Sequence, residues 1–351
     1  MRDDRADAPP DDTIRDLADL EDRLSQPGEA LSECLGRLDG DILILGVAGK
    51  MGPSLARMAR RGSDAAGVDR RVIGVARFSD PGVEASLRSH GVETIRCDLL
   101  DPDSLGLLPD APNVVFMAGM KFGTSGGEAR TWAINAFLPG LACRRFARSR
   151  LVAFSTGNVY GTTPVGGPGS RESDPLNPRG EYAMSCVGRE RIVEHHSRTS
   201  GIPAALIRLN YATEMRYGVL VDIGRKVLAG EPIDLTIGYL NAIWQGDAVD
   251  MSLRAFDHVA SPPLVLNVTG PRALSVRSIA ERFGEVFGSS PVFQGRESPE
   301  ALLSDTSLAG ELFGHPRLDI DRLLHQTAGW IRRGGETLGK PTRYEVSDGR
   351  F

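Results

Sequence analysis

Tyr182 and Cys186 stand four residues apart in the stretch EYAMSC. Residues at positions i and i+4 share one face of a helix, so we expect the two side chains to point the same way. A phenol can exchange a proton with a substrate oxygen, but its pKa of about 10 is too high for a base at neutral pH without a nearby positive charge. A neutral thiol supplies no such charge, although a thiolate is a nucleophile. Two chemistries remain open: acid–base catalysis by Tyr182 with a cation from elsewhere, or nucleophilic catalysis by Cys186.

Three glycines, Gly46, Gly49 and Gly52, form a GxxGxxG turn between the apolar run DILIL and the helical stretch SLARMARRG. Glycine permits a tight turn and close approach of the backbone to a ligand. The helix that follows presents free N–H groups and the positive end of its dipole to a pyrophosphate. In this strand–turn–helix context the pattern predicts a dinucleotide site. The alternative is the same fold with an empty site.

The end of the second apolar run, VIGVARF, indicates which dinucleotide is bound. Ala76 stands where an NAD site usually has an acid for the ribose 2′-hydroxyl, and Arg77 follows it. An arginine can grip a 2′-phosphate, and Lys50, next to Met51 inside the glycine turn, adds a second positive charge. We therefore expect NADP(H) in preference to NAD(H), with NAD still possible. The alternative is that Arg77 is a solvated surface residue.

Short apolar runs alternate with helical stretches between Asp41 and Asn210, a pattern typical of βαβ units and a parallel sheet. We predict an α/β fold: a Rossmann-type doubly wound parallel sheet, with a smaller C-terminal substrate lobe and an N-terminal helical extension. The extension should contain two short helices after a disordered tail that ends near residue 12. The predicted boundaries are 1–40 for tail and extension, 41–210 for the NAD(P)-binding Rossmann domain, and 211–351 for the C-terminal lobe, which partly returns to the Rossmann sheet.

Composition narrows the class of protein. The 351 residues carry a formal net charge of −5, which provides no electrostatic footprint for nucleic acid or for an anionic membrane. The longest apolar run is strand-sized, and the acidic N-terminus does not resemble a secretory signal. The four cysteines are scattered without metal-ligand spacing, so we expect reduced thiols, no metal site and a cytoplasmic location.

Several further motifs, taken with the glycine turn, resemble those of the extended short-chain dehydrogenase/reductase family, the NAD(P)-dependent epimerases and dehydratases. The resemblance runs from about residue 41 to 335. Its specificity lies in the combination of motifs, which singly are weak. The matches are Asp98-Leu99 at the adenine, Ala118-Gly119 in FMAG beneath the nicotinamide ribose, Asn135 in a helix, Thr156 in FSTGNVYG, Tyr182 in the YxxxK motif and Asn210 in IRLNYA.

The resemblance implies that Tyr182 is the general acid/base and that Thr156 holds the substrate oxygen. It also implies a lysine that lowers the tyrosine pKa and binds the nicotinamide ribose, and Cys186 occupies that position. The best local candidate for the missing charge is Lys121, in AGMKFG, just past the fourth strand. The alternatives are that Lys121 is a solvated loop residue or that proton abstraction is weak or absent.

Departures from the family pattern indicate the substrate. Dehydratases of the family carry Asp-Glu after the threonine, where this chain has Gly157-Asn158, so elimination of water is disfavoured. Arginines that hold a nucleotide diphosphate are replaced by Leu240 and by the stretch SPEALLSDTS. We therefore expect a small sugar, sugar acid, lactone or sugar phosphate rather than a nucleotide sugar. The expected substrate-binding residues are Lys121, Asn158, Asn210 and Trp244.

The stretch at residues 163–180 is rich in glycine and proline and should form a loop over the pocket, a candidate lid. Arg171 or Arg179 in it could meet a carboxylate or phosphate on the substrate.

The predicted function is that of an NAD(P)-dependent oxidoreductase or epimerase. A non-catalytic NAD(P)-binding sensor or partner protein of the same fold is the alternative. The resemblance also implies a homodimer through two helices, which here carry Ala133, Phe137, Leu141, Val187 and Ile192.

Overall fold

The computed structural model describes residues 13–121, 123–124, 126–340 and 342–346, so the tail predicted to be disordered lies outside the described residues. The strands, in chain order, are β1 Ile42–Leu45, β2 Val72–Ala76, β3 Glu93–Arg96, β4 Asn113–Phe116, β5 Arg150–Thr156, β6 Thr163–Pro164, β7 Ala204–Leu209, β8 Ala212–Thr213, β9 Pro232–Asp234, β10 Tyr239–Leu240, β11 Ile243–Trp244, β12 Leu264–Val268, β13 Leu274–Ser275, β14 Val292–Gln294 and β15 Glu300–Ala301.

Seven strands form one parallel sheet in the order β12-β7-β5-β4-β1-β2-β3, which confirms the predicted Rossmann-type fold. The chain leaves the sheet at its β3 edge and returns beside β1 as β4. The strand order therefore reverses between β1 and β4, and such a switch point opens a crevice at the carboxyl ends of the strands. The glycine turn and the residues after β4 both lie at this crevice.

The helices are α1 Leu17–Leu24, α2 Glu29–Arg37, α3 Gly52–Ala65, α4 Pro81–Ser89, α5 Pro102–Gly106, α6 Glu128–Trp132, α7 Leu138–Arg145, α8 Gly180–Ser200, α9 Val219–Ala229, α10 Gln245–Arg254, α11 Val276–Phe287, α12 Ser307–Phe313 and α13 Ile320–Arg332. A π-helical segment, Ala133–Phe137, joins α6 to α7, and 3-10 turns cover Gly157–Val159 and Ala255–His258.

Alternation along β1 shows why both faces of the sheet are covered. Ile42 and Ile44 pack into one core cluster with residues of α2, α3 and α10, whereas Leu43 and Leu45 pack into another with residues of α7 and α8. Successive side chains of a strand point to opposite faces, so a continuous run of aliphatic residues marks a strand buried on both sides. The run ILIL is fully buried.

The two predicted helices of the N-terminal extension are present, and they connect the lobes. Leu31 and Leu35 of α2 pack with the Rossmann core, while Leu20 and Leu24 of α1 join the core of the C-terminal lobe. Glu21 reinforces this bridge, because its carboxylate pairs with Arg57 of α3 at 3.2 Å and with Arg216 at 2.6 Å.

The C-terminal lobe has its own apolar cluster, formed mainly by α9, α11 and α13, and also supplies β12 to the edge of the central sheet. The boundaries at residues 40/41 and 210/211 stay a prediction. Within the described part of the chain, no helix combines the length and the apolar character needed to cross a bilayer.

Candidate active site

The glycine turn is packed against its surroundings at two of its three glycines. Gly46 has a φ of +91°, and a Cβ there would lie 2.6 Å from the backbone nitrogen of Ala118. A Cβ on Gly52 would lie 2.0 Å from the carbonyl oxygen of Val47, so no side chain fits either position. At Gly49 the nearest atom to such a Cβ is the Gly46 carbonyl oxygen at 3.4 Å. Side chains are therefore excluded at Gly46 and Gly52, whereas Gly49 leaves space beside the backbone.

Helix α3 begins at Gly52 without a side-chain hydrogen bond to its first N–H groups, and Pro53 occupies the first turn. Unsatisfied N–H groups at a helix start suit an anion. At the neighbouring strands, Arg77 is exposed directly after β2, and Asp98 is exposed after β3 with Leu99 buried beside it. The turn, the helix start and these strand ends together fit a dinucleotide.

Lys50, also in the turn, extends toward the C-terminal lobe. Its ammonium donates to the carbonyl oxygen of Ala212 at 3.3 Å and lies 3.6 Å from the ring centroid of Tyr217. Burial lowers the pKa of Lys50 to about 7; Glu214 opposes this shift and Lys121 adds to it. The sequence-based expectation placed Lys50 with Arg77 at a 2′-phosphate. The hydrogen bond to Ala212 and the cation–π contact with Tyr217 instead direct its ammonium toward the C-terminal lobe.

Tyr182 lies in the first turn of α8 and is hydrogen-bonded to Thr156, the last residue of β5. The Thr156 hydroxyl also accepts from the backbone N–H of Asn158 at 3.2 Å and from its side-chain amide at 3.0 Å. Burial raises the pKa of Tyr182, Cys186 contributes in the same direction, and Thr156 and Arg189 lower it. The predicted tyrosine–threonine pair is thus brought together in a desolvated place where nearby positive charge decides whether phenolate forms.

Cys186 lies one turn after Tyr182, as the spacing predicts, and is 1% exposed. It packs with Val159, Tyr160 and Leu302 in a small apolar cluster. Burial raises the pKa of the Cys186 thiol, against smaller opposing effects of Arg189 and of a hydrogen bond with Tyr182. A buried thiol with a raised pKa behaves as a small apolar side chain.

Lys121 follows β4, and its ammonium lies 6.0 Å from the centroid of the Tyr182 ring. Burial lowers the pKa of Lys121 to about 8, while the neighbouring Cys186 opposes this shift. At neutral pH most of the Lys121 population therefore carries a proton. The structure brings Lys121, Tyr182 and Cys186 together at one place.

Arg189 is a buried cation in this site that the sequence reading missed. Its guanidinium donates to carbonyl oxygens at the ends of β4 and β5, namely Ala118 at 3.0 Å and Phe154 at 2.5 Å, and to the side chain of Asn135 at 3.1 Å. A Cβ on Gly119 would lie 3.2 Å from this guanidinium. The helical spacing could have predicted its place, because positions 182, 186 and 189 lie on one face of a helix.

Asn135 sits in the π-helical segment and fixes the loop after β4. Its side chain accepts from the backbone N–H of Met120 at 2.8 Å and donates to the Met120 carbonyl at 2.9 Å and to Ser185 at 3.0 Å. π-Helical turns often occur at functional sites. Asn135 and Arg189 together hold the backbone from which Lys121 extends.

The expected substrate residues separate into two groups. Asn158 lines a pocket with Lys121, and Asn210 reaches the edge of that pocket by donating to the carbonyl oxygen of Leu302 at 3.4 Å. Trp244 is only 6% exposed and packs in the core of the C-terminal lobe, against the expectation that it contacts substrate. Its indole is held over Gly246, where a Cβ would lie 2.5 Å from the indole nitrogen, so Trp244 has a packing role.

The stretch at residues 163–180 is tied down rather than free. Its strand β6 pairs with β15, the Ser170 N–H donates to the Leu303 carbonyl at 2.8 Å, and Arg171 pairs with Asp305 at 3.1 Å. Arg171 is thus engaged within the protein. Arg179, just before α8, lines the pocket beside Lys121.

The model of the NAD dependent epimerase/dehydratase family matches residues 42–268, and the chain belongs to this family. It is therefore an NAD-dependent enzyme of the epimerase/dehydratase type, and its dinucleotide turn suits a nicotinamide dinucleotide. No curated protein matches the chain in sequence.

Solved structures share the fold at low identity. UDP-glucose 4-epimerase from Thermotoga maritima is 18% identical with a TM-score of 0.68, over 84% of this chain and 99% of that one. UDP-glucuronic acid 4-epimerase from Bacillus cereus, in complex with UDP-glucuronic acid and NAD, is 18% identical with a TM-score of 0.69, over 84% and 99%. dTDP-glucose 4,6-dehydratase from Bacillus anthracis, in complex with NAD, is 16% identical with a TM-score of 0.69, over 84% and 97%.

Proposed function

We propose that the protein is an NADP(H)-preferring oxidoreductase or epimerase that acts on a small sugar, sugar acid, lactone or sugar phosphate. The observation that carries this proposal is the Thr156–Tyr182 pair, with the Lys121 ammonium 6.0 Å from the tyrosine ring. Thr156 lies at the carboxyl end of β5 and Lys121 follows β4, at the edge of the sheet where the fold binds its ligand.

Each residue of the site has a separate role in the proposed reaction. Thr156 positions the substrate oxygen, and Tyr182 takes or returns the proton of that oxygen. Lys121 stabilises the phenolate that Tyr182 must form, since a unit charge nearby in a poorly solvated site favours the ionised phenol. A nicotinamide dinucleotide, held by the glycine turn and by Arg77 and Asp98, supplies the hydride chemistry when bound.

A substrate without a nucleotide is supported by the C-terminal lobe. Leu240, at the position of one family arginine, is fully buried in the apolar core and cannot reach a ligand. The second family arginine would fall in the stretch SPEALLSDTS, where Glu300 and Ala301 form strand β15, which pairs with β6. A diphosphate bound there would lack the bidentate arginine contacts that normally compensate its desolvation.

The preference for NADP(H) rests on Arg77, which is exposed directly after β2 with no acid preceding it. The proposed homodimer rests on a partly exposed apolar face on the π-helical segment, α7 and α8. Phe137 is 57% exposed there, and Ala133, Leu141, Val187 and Ile192 are half-buried. The four cysteines are free and buried, which supports a reducing compartment such as the cytoplasm.

A substrate panel tests the proposal. The absorbance of reduced nicotinamide is followed with aldoses, sugar acids, lactones and sugar phosphates, and UDP- and dTDP-sugars are titrated by calorimetry. Epimerisation, which leaves no net change in absorbance, is detected by chromatography of the sugar. We expect turnover of a small sugar compound and no measurable binding of nucleotide sugars.

A micromolar Kd for a nucleotide sugar would contradict the proposed substrate class. Cofactor binding with no turnover across the panel would instead favour the non-catalytic sensor.

A further inference from the structure

The pocket beside Tyr182 is lined by positive side chains from three distant parts of the chain. Lys121 comes from the loop after β4, Arg179 from the residue before α8, and Arg343 from the C-terminal segment at 342–346. No aspartate or glutamate is among the described residues that line it. The whole chain has a net charge of −5, so this concentration of positive charge is a local feature of the pocket.

The C-terminal segment is held over the pocket by contacts on both sides of Arg343. Thr342 donates its N–H and its hydroxyl to Asp222 of α9, at 2.8 Å and 2.6 Å, and Glu345 pairs with Lys226. Arg343 itself has a φ of +54°, a conformation that is unfavourable for a residue with a side chain. Backbone strain of this kind persists where the surroundings impose it, and such residues concentrate at ligand sites.

Tyr344 also lines this pocket. It is 2% exposed, and its hydroxyl has no hydrogen-bond partner among the described residues. A buried hydroxyl without a partner is costly, and a bound ligand group would remove that cost.

We propose that this pocket binds an oxyanion, a carboxylate or a phosphate, carried by the substrate, with Arg179 and Arg343 as its principal ligands. This inference rests on the proposed function and narrows its substrate class to sugar acids and sugar phosphates. Arg179 and Arg343 are both exposed enough to exchange water for a ligand, whereas Arg171 is already paired with Asp305. A guanidinium binds carboxylate and phosphate through parallel N–H donors.

Binding without turnover gives the first test. Inorganic phosphate and a hexuronate are titrated by calorimetry into wild type, Arg179→Ala, Arg343→Ala and Arg148→Ala. Arg148 is the matched control, because it is exposed and lies just before the amino end of β5, whereas the pocket is at the carboxyl ends of the strands. We expect each pocket variant to weaken anion binding about tenfold or more and Arg148→Ala to leave it unchanged. Thermal unfolding of each variant verifies folding.

Turnover gives the second test, with a hexose, the matching hexuronate and the hexose phosphate. We expect the neutral sugar to have a KM at least about tenfold above that of an anionic one, and Arg343→Ala to raise KM only for the anionic sugars. The anionic sugar with the lower KM shows whether the pocket prefers a carboxylate or a phosphate.

Equal anion affinities of wild type and Arg343→Ala would overturn the pocket assignment. So would a neutral sugar with the same KM as its anionic counterparts, and in that case the proposed enzymatic function would stand. Anion binding that depends on Arg343, without turnover of any sugar, would support the pocket and contradict the proposed function.

Discussion

The glycine turn and the pocket beside Tyr182 lie along the same edge of one sheet, yet they follow the family pattern to different degrees. The turn keeps all three glycines, whereas the pocket lacks the lysine of α8, the acidic pair after Thr156 and the arginines of the C-terminal lobe. The turn suits the dinucleotide that the family shares, and its packing excludes a side chain at Gly46 and at Gly52. A Cβ at Gly52, for example, would lie 2.0 Å from a carbonyl oxygen.

The pocket is less constrained because a positive charge can reach Tyr182 from more than one segment. In this chain the Cys186 thiol packs in an apolar cluster, and the Lys121 ammonium, in the loop after β4, lies 6.0 Å from the centroid of the Tyr182 ring. We propose that this ammonium supplies the charge that the family lysine would provide. What the chemistry needs is a charge near the phenol, and which element carries it is secondary. Backbone packing therefore fixes the dinucleotide turn, whereas the choice of cofactor and the chemistry of the pocket depend on side chains such as Arg77 and Lys121.

The largest expected effect is that of Tyr182→Phe, which would show whether the pocket does the family's chemistry at all. This substitution removes the Tyr182 hydroxyl, which is hydrogen-bonded to Thr156, and keeps the aromatic ring. We expect kcat to fall by about 10²–10⁴, as for loss of a general acid/base. Steady-state kinetics measure the effect, and an unchanged Kd for the cofactor is the control. Turnover within a few-fold of wild type would show that the proton moves by another route.

A smaller effect is expected at the cofactor end, from Arg77→Ala. Loss of one charge-assisted contact to a 2′-phosphate costs about 1.5–3 kcal/mol, or about ten- to a hundredfold in NADPH affinity, with little change for NADH. Fluorescence titration of both cofactors measures this difference.

Lys50→Met is the matched comparison for Arg77→Ala, because the Lys50 ammonium lies beside Tyr217. It should leave the ratio of the two affinities unchanged. Equal binding of NADPH and NADH by wild type would contradict the predicted preference.

Most of the fold could be predicted from the sequence because it follows from local periodicity. Aliphatic runs such as ILIL can be buried on both faces only in a covered parallel sheet, and glycines after the first run fix the turn. The Tyr182–Thr156 pair was also predictable, since both positions follow from strand ends and helical spacing. Lys121 could be proposed from its place after β4.

Other features of the site depend on contacts between residues far apart in the chain. Arg343 is more than two hundred residues from Lys121 in sequence, and no local pattern places it in the same pocket. The direction of Lys50 depends on Tyr217 and Ala212 of the second lobe. The burial of Trp244 follows from the packing of that lobe, because an aromatic residue near a strand end suits a pocket wall as well as a core.

The pH dependence of turnover in wild type, Lys121→Met and Lys121→Arg tests most directly whether Lys121 replaces the family's lysine. The Lys121 ammonium lies 6.0 Å from the centroid of the Tyr182 ring. A unit charge at about that distance from the phenol oxygen, at an effective dielectric constant of about 20, would contribute about 3 kcal/mol, enough to lower the tyrosine pKa by about two units. Lys121 has a pKa of about 8, so it is charged below that pH and neutral above it.

We therefore predict that Lys121→Met lowers kcat/KM for substrate oxidation about 10–100-fold at pH 7, moves the profile alkaline, and approaches wild type above pH about 8. Lys121→Arg should keep its activity above that pH, and Cys186→Ser, the control, should have the wild-type profile. Superimposable profiles of wild type and Lys121→Met would contradict the account.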